Sequence, residues 1–153
     1  MDPRHLPPDF RDFLACLNDA GVEYLVVGGH AVAYHGYPRV TSDMDVWINR
    51  TPENAARVIT AIRNFFGTEM AGLTTAQLLD SEMVTHFGAR PHLIEVLNRI
   101  SGGDFLQAWP RRIATDYDGV PVQMIGLLDL IQNKKSSARG KDIADLENLP
   151  TKD

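Results

Sequence analysis

The apolar positions of the chain alternate between helical and strand periods. Phe10, Phe13, Leu14 and Leu17 recur at helical spacing and predict an amphipathic helix over about residues 8–20, with Gly21 placed to end it. Val22 to Val27 is a short apolar run that closes on Gly28-Gly29, the pattern of a buried strand running into a tight turn. Ala31 to Tyr34 then reads as a short helix stopped by Gly36 and Pro38. Residues 43–48, DMDVWI, alternate acidic and apolar side chains, which is strand periodicity. Thr51-Pro52-Glu53 is a helix start, with an apolar stripe at Ala55, Val58, Ile59 and Ile62 and a stop at Gly67. A short helix is expected over 74–80, then two strands, Val84 to Phe87 and His92 to Leu97, joined through Gly88-Ala89-Arg90-Pro91. Asp104 to Trp109 reads as a helical turn or loop. Asp118-Gly119 joins Ile113–Tyr117 to Val120–Ile125 as a hairpin, and helices follow over Leu127 to about Ser137 and Asp142 to Leu149. Helices mixed with antiparallel-prone strand pairs predict an α/β or α+β domain with one mixed sheet flanked by helices and a C-terminal helical segment.

Composition narrows the class without naming a function. A length of 153 residues fits a single domain spanning 1–153, and 44% hydrophobic with 23% charged residues argues against disorder. Cys16 is the only cysteine, which excludes an intramolecular disulfide and a cysteine zinc cage; with no basic neighbour to lower its pKa, it reads as a filler. No apolar run approaches the roughly 20 residues of a membrane span, and the opening MDPRHLPPDF lacks the apolar core of a signal peptide. The expectation is a soluble cytoplasmic domain. A net charge of −5 argues against a generic nucleic-acid coat and a DNA-binding role, and leaves room for a local basic site.

The chemistry concentrates in Val27-Gly28-Gly29-His30-Ala31 and Thr41-Ser42-Asp43-Met44-Asp45-Val46. On a strand, Asp43 and Asp45 point to one face about 6.5–7 Å apart. Two such carboxylates repel each other, and a divalent cation resolves the conflict; oxygen ligands select Mg²⁺ or Mn²⁺. Glycines between a strand and a helix let backbone N–H groups approach an anion, so Gly28 and Gly29 are candidates for a phosphate cradle. Either signal alone is common in turns and at strand edges. Together, in this order, they point to phosphoryl or nucleotidyl transfer.

The string VVGGHAVAYHGYPRVTSDMDVWI resembles the polymerase β-type nucleotidyltransferase fold, in the branch of minimal nucleotidyltransferases and AbiEii-type toxin components. The resemblance is carried by Gly28-Gly29, His35-Gly36, Arg39 and Thr41-Ser42-Asp43-Met44-Asp45. In the C-terminal string NKKSSARGKDIADLENL, Lys134, Arg139 and Asp142 also resemble that branch. Motif regions 25–48 and 112–149 carry it, and it extends over roughly residues 10–150. It implies a Mg²⁺-dependent enzyme that moves a nucleoside monophosphate from an NTP to an acceptor hydroxyl. It also implies a third carboxylate on a strand beside the first pair. Glu95, in HLIEVL, is the candidate, in place of the common Asp; the other reading puts it in solvent at a sheet edge. Family context adds a toxin role with a cognate antitoxin.

Under this reading Asp43, Asp45 and Glu95 are the catalytic and metal-binding residues. Gly28, Gly29, His30, Arg39, Thr41, Lys134 and Arg139 are the candidates for nucleotide and phosphate binding. Lys134 and Arg139 belong to a basic run with Lys135 and Lys141, which reads equally as a cationic helix C-terminus. Arg39 and Thr41 read equally as parts of a polar loop, and His35 with Tyr34 as packing residues. The acceptor, whether RNA, protein or a small molecule, is open, and a partner subunit or homodimer is a way to complete its site. The competing reading is a nucleotide-binding or partner-binding module that keeps the fold without turnover.

Overall fold

A computed structural model of the chain describes residues 6–37, 41 and 43–150. Arg39, one of the candidate phosphate ligands, lies outside the described residues.

The first helix, α1 (Pro8–Asp19), buries the predicted stripe Phe10, Phe13, Leu14 and Leu17, and Gly21 follows with φ +71°. The chain then enters β1 (Tyr24–Val27), α2 (Gly28–Tyr34), β2 (Asp43–Ile48) and α3 (Pro52–Phe66). Thr51 caps α3 by accepting a hydrogen bond from the Asn54 backbone N–H, and Gly67 ends it in the left-handed conformation. The short α4 (Thr75–Leu79) carries a reciprocal cap between Thr74 and Gln77. Next come β3 (Thr85–Phe87), β4 (Leu93–Leu97) and α5 (Phe105–Ala108), which runs on as a 3₁₀ turn over Trp109–Arg111. The hairpin of β5 (Ile113–Tyr117) and β6 (Val120–Met124) turns at Asp118 and Gly119, both with positive φ. It leads to α6 (Leu127–Ser137) and α7 (Gly140–Asn148).

The six strands form one mixed sheet in the order β3-β4-β2-β1-β6-β5. β1 and β2 are central. All four β1 residues are buried, as a continuous apolar run in a strand covered on both faces should be. Strand β1 pairs antiparallel with β2 and parallel with β6, while β2 pairs parallel with β4. α1 and α3 pack together, with the Phe13 and Phe65 rings edge to face at 5.3 Å. α5 lies on the β2 face that carries Asp43 and Asp45, its Phe105 ring 5.1 Å from Trp47.

Two sequence expectations shift. The glycines do not precede α2 as a loop; Gly28 is its first residue, so the strand passes into the helix without a linker. The last helix starts at Gly140 rather than Asp142, because the Asp142 carboxylate reaches back to the Arg139 backbone N–H and closes the first turn.

Candidate functional site

Strand register joins the two sequence signals. Val27 lies opposite Asp45 in the β1–β2 pair, so the residue after Val27 meets the Asp45 side chain. Gly28 adopts φ +69°, and a Cβ on it would collide with the Asp45 carboxylate. Only glycine satisfies both the backbone and the close approach. Gly28, Gly29 and Asp45 line one open cleft of about 600 Å³, which Lys134, Arg139 and Lys141 from α6, α7 and their connection also line.

Asp45 is the electrostatic centre of this cleft. Its Oδ1 is buried without a hydrogen-bond partner among the described residues. Burial, then the charges of Glu95 and Asp43, push its pKa up to about 7, against the opposing pull of Lys141 and Lys134. Glu95 lies directly across from Asp45 in the parallel β2–β4 register. Strand β4 sits between β3 and β2, so Glu95 is on an interior strand and not at a sheet edge. It is half-buried. Asp43 shares the Asp45 face, and its carboxylate takes a bidentate pair from Arg90, with Nε and Nη2 at 3.0 and 3.1 Å. Thr41 Oγ1 donates to the Asp43 carbonyl at 3.1 Å and so steadies the start of β2 rather than facing the cleft lining.

The residues suit a hard divalent cation in kind: three carboxylates on two adjacent strands, one with a buried oxygen that no described residue satisfies. Among the described residues no three acidic or imidazole side chains converge into a metal cage, and Asp43 is engaged by Arg90. A cation at this place therefore competes with Arg90 for Asp43.

The basic wall divides into structural and available charge. Lys134 is 3% exposed, and its Nζ pairs with Asp142 Oδ1 and Asp145 Oδ2, both at 3.1 Å. An exposed cationic helix end does not describe it. Burial alone would raise the Asp142 pKa. Hydrogen bonds from Arg139, Ser137 and Lys134, with the Lys134 charge, outweigh that and hold it well below the ordinary carboxylate range. Arg139 lines the cleft while its Nε bonds Asp142 at 2.8 Å. Lys141 is exposed, lines the cleft and makes no ion pair among the described residues. It is the cation that sequence spacing left unranked within the basic run. What singles it out is the burial of Lys134, which no local pattern encodes.

The histidines face elsewhere. His30 is buried with its ring edge-on to Phe10 at 5.6 Å and is not part of the cleft lining. His35 Nε2 donates to the Ile125 carbonyl at 2.8 Å, tying the end of α2 to the chain leaving β6, a packing role.

Asp45→Asn is expected to stabilise the metal-free protein at neutral pH. The folded pKa lies above the ordinary 3.8, so between there and about 7 the folded chain keeps a proton that the unfolded chain has lost. Stability therefore falls as pH rises through that window, on the order of 1.4 kcal/mol per unit, and the cost is complete above it. Denaturant titrations in chelator should show the Asn variant gaining at pH 8 and not at pH 4; an equal gain at both would contradict the assignment.

In comparisons with known proteins, no family model and no curated protein matches the chain.

Proposed function

We propose that the chain is a divalent-metal-dependent nucleotidyltransferase of the polymerase β-type fold, transferring a nucleoside monophosphate from an NTP to an acceptor hydroxyl. The observation that carries this reading is the contact of Gly28 with Asp45 at the floor of a cleft walled by Lys134, Arg139 and Lys141. A glycine backbone suited to phosphate, a carboxylate with a buried oxygen that no described residue satisfies, and a group of basic side chains line one concavity. Lone Gly-Gly or Asp-x-Asp pairs do not produce that arrangement.

Asp45, Asp43 and Glu95 would hold Mg²⁺ or Mn²⁺, which when bound supplies positive charge to the transferring phosphoryl group. In the transfer, the acceptor oxygen bonds to the α-phosphorus and the bond to the β-phosphate oxygen breaks. Pyrophosphate leaves with that electron pair, and the acceptor proton passes to a base. Glu95, across the strand pair from Asp45, is the carboxylate available for that proton when it is not a ligand. Gly28 and Gly29 N–H groups and the Lys141 ammonium offset charge on the leaving phosphates. Lys134 acts through the helix pair it holds.

The competing reading, a nucleotide-binding module without turnover, draws on the Arg90 hold on Asp43. Incubation with α-labelled NTP, Mg²⁺ and cell extract separates the two. Label transferred to an acceptor, and lost with chelator, is the expected result. Calorimetric NTP binding without transfer or pyrophosphate release would leave only the module.

Lys141→Ala is expected to raise the KM for NTP about tenfold while leaving the melting temperature within a degree or two, because the side chain is exposed and makes no ion pair among the described residues. Steady-state pyrophosphate release and a thermal melt check both halves. An unchanged KM would remove Lys141 from the phosphate site.

A further inference from the structure

Strand register extends the row of cleft residues one strand further than the two motifs reach. Val27 lies opposite Asp45, Asp45 opposite Glu95, and Glu95 opposite His86. Residues directly opposite in an antiparallel pair such as β3–β4 share a face, with Cβ atoms about 4.5–5.5 Å apart. His86 therefore stands beside Glu95, on the side away from Asp45.

The other face of β3 is accounted for. Phe87 turns its ring to Phe13 of α1 and Phe66 of α3, with centroids 6.2 and 5.2 Å away. Successive strand residues point to opposite faces, so His86 projects to the face of Glu95 and Asp45. Leu97, two residues beyond Glu95 on that same face, lines the cleft. His86 is exposed, and its imidazole makes no hydrogen bond, ion pair or ring contact among the described residues. It is a polar ring on the edge strand of the sheet, next to the candidate base, and open to a ligand.

The geometry of the displacement selects that ligand. The attacking and leaving oxygens stand roughly in line, on opposite sides of the transferred phosphorus. Pyrophosphate leaves over Gly28-Gly29, on the β1 side, and Glu95 on β4 takes the acceptor proton. The order β3-β4-β2-β1 then puts the acceptor over β4 and β3. Resting on the nucleotidyltransferase reading, we propose that His86 is an acceptor-binding residue, whose imidazole hydrogen-bonds the acceptor molecule beside the hydroxyl that Glu95 deprotonates. His86 thus recognises the second substrate and not the NTP.

The test pairs label transfer with nucleotide binding, both in the intact protein. Transfer is measured with α-labelled ATP, Mg²⁺ and limiting cell extract as the source of acceptor. Nucleotide affinity is measured by calorimetry with an ATP analogue that cannot be cleaved between the α- and β-phosphates. His86→Ala is expected to lower transfer about tenfold, the scale of one lost hydrogen bond, and to leave analogue affinity unchanged. Raising the extract concentration should recover much of the loss, since weakened acceptor binding can be saturated. His86→Gln, which keeps a nitrogen donor near the place of Nε2, should retain most of the transfer. Transfer by the Ala variant equal to the parent overturns the proposal. So does weakened analogue binding, which would put His86 on the nucleotide, and so do equal losses in the Ala and Gln variants. Absence of transfer by the parent protein is a different result and overturns the nucleotidyltransferase reading itself.

Discussion

Replacing Asp43 and Asp45 together by Ala is expected to abolish label transfer from α-labelled NTP, by at least about a thousandfold. That is the scale set by the several kcal/mol of charge stabilisation a held cation contributes to phosphoryl chemistry. The fold should survive the change. Asp45 has a buried carboxylate oxygen with no partner among the described residues, so its removal relieves a cost. Asp43 loses an ion pair to an Arg90 side chain that is 66% exposed, a pair worth about 0–1 kcal/mol. The double variant should therefore melt no lower than the parent while losing activity. Undiminished transfer would sink the mechanism. Loss of activity with loss of fold would show that the two carboxylates hold the sheet together, against the electrostatics derived for Asp45.

Lys134→Met is expected to have the largest effect on stability of any single change considered. The substitution keeps an apolar stem of similar length and takes from Asp142 and Asp145, which are 0% and 2% exposed, the cation they share, leaving Asp142 its bonds from Arg139 and Ser137. Breaking a buried pair from one side costs about 3–5 kcal/mol, a large share of the 5–15 kcal/mol that holds a domain folded. Denaturant titration should show that loss. Adding Asp142→Asn and Asp145→Asn to Lys134→Met should recover most of it, since the two buried charges that Lys134 shared are then gone. A full-strength Lys134→Met protein would mean that the ion cluster does not brace α6 against α7. The consequence for function is direct: inactivity of a Lys134 variant would report a collapsed wall, whereas Lys141→Ala reports the phosphate contact.

These expectations show where sequence reading reached and where it stopped. The elements with strong local grammar are legible: the Thr51 cap and Gly67 stop of α3 and the Asp118-Gly119 hairpin each place an element within a residue or two. The alternation DMDVWI put Asp43 and Asp45 on one face of a strand, and the structure has that strand with those bounds. Strand order was not legible. Nothing local states that β4 lies beside β2, and it is that pairing which sets Glu95 opposite Asp45. Partner choice was not legible either. The Arg90 grip on Asp43 spans 47 positions, and the pairing of Lys134 with two aspartates depends on the angle between α6 and α7. His30 follows the glycines in sequence, so adjacency suggested a phosphate ligand, but the first turn of α2 sends its ring against Phe10. Lys141 is the residue that spacing did not single out, because exposure is a tertiary property.

The most direct test of the central claim is a crystal structure with Mn²⁺ and an NTP analogue that cannot be cleaved between the α- and β-phosphates. Anomalous density for Mn²⁺ against Asp43 and Asp45, with Arg90 released from Asp43 and the triphosphate over Gly28-Gly29 facing Lys141, is the expected result. Metal and triphosphate bound away from Asp45, or a cleft that takes neither at saturating concentration, would contradict it.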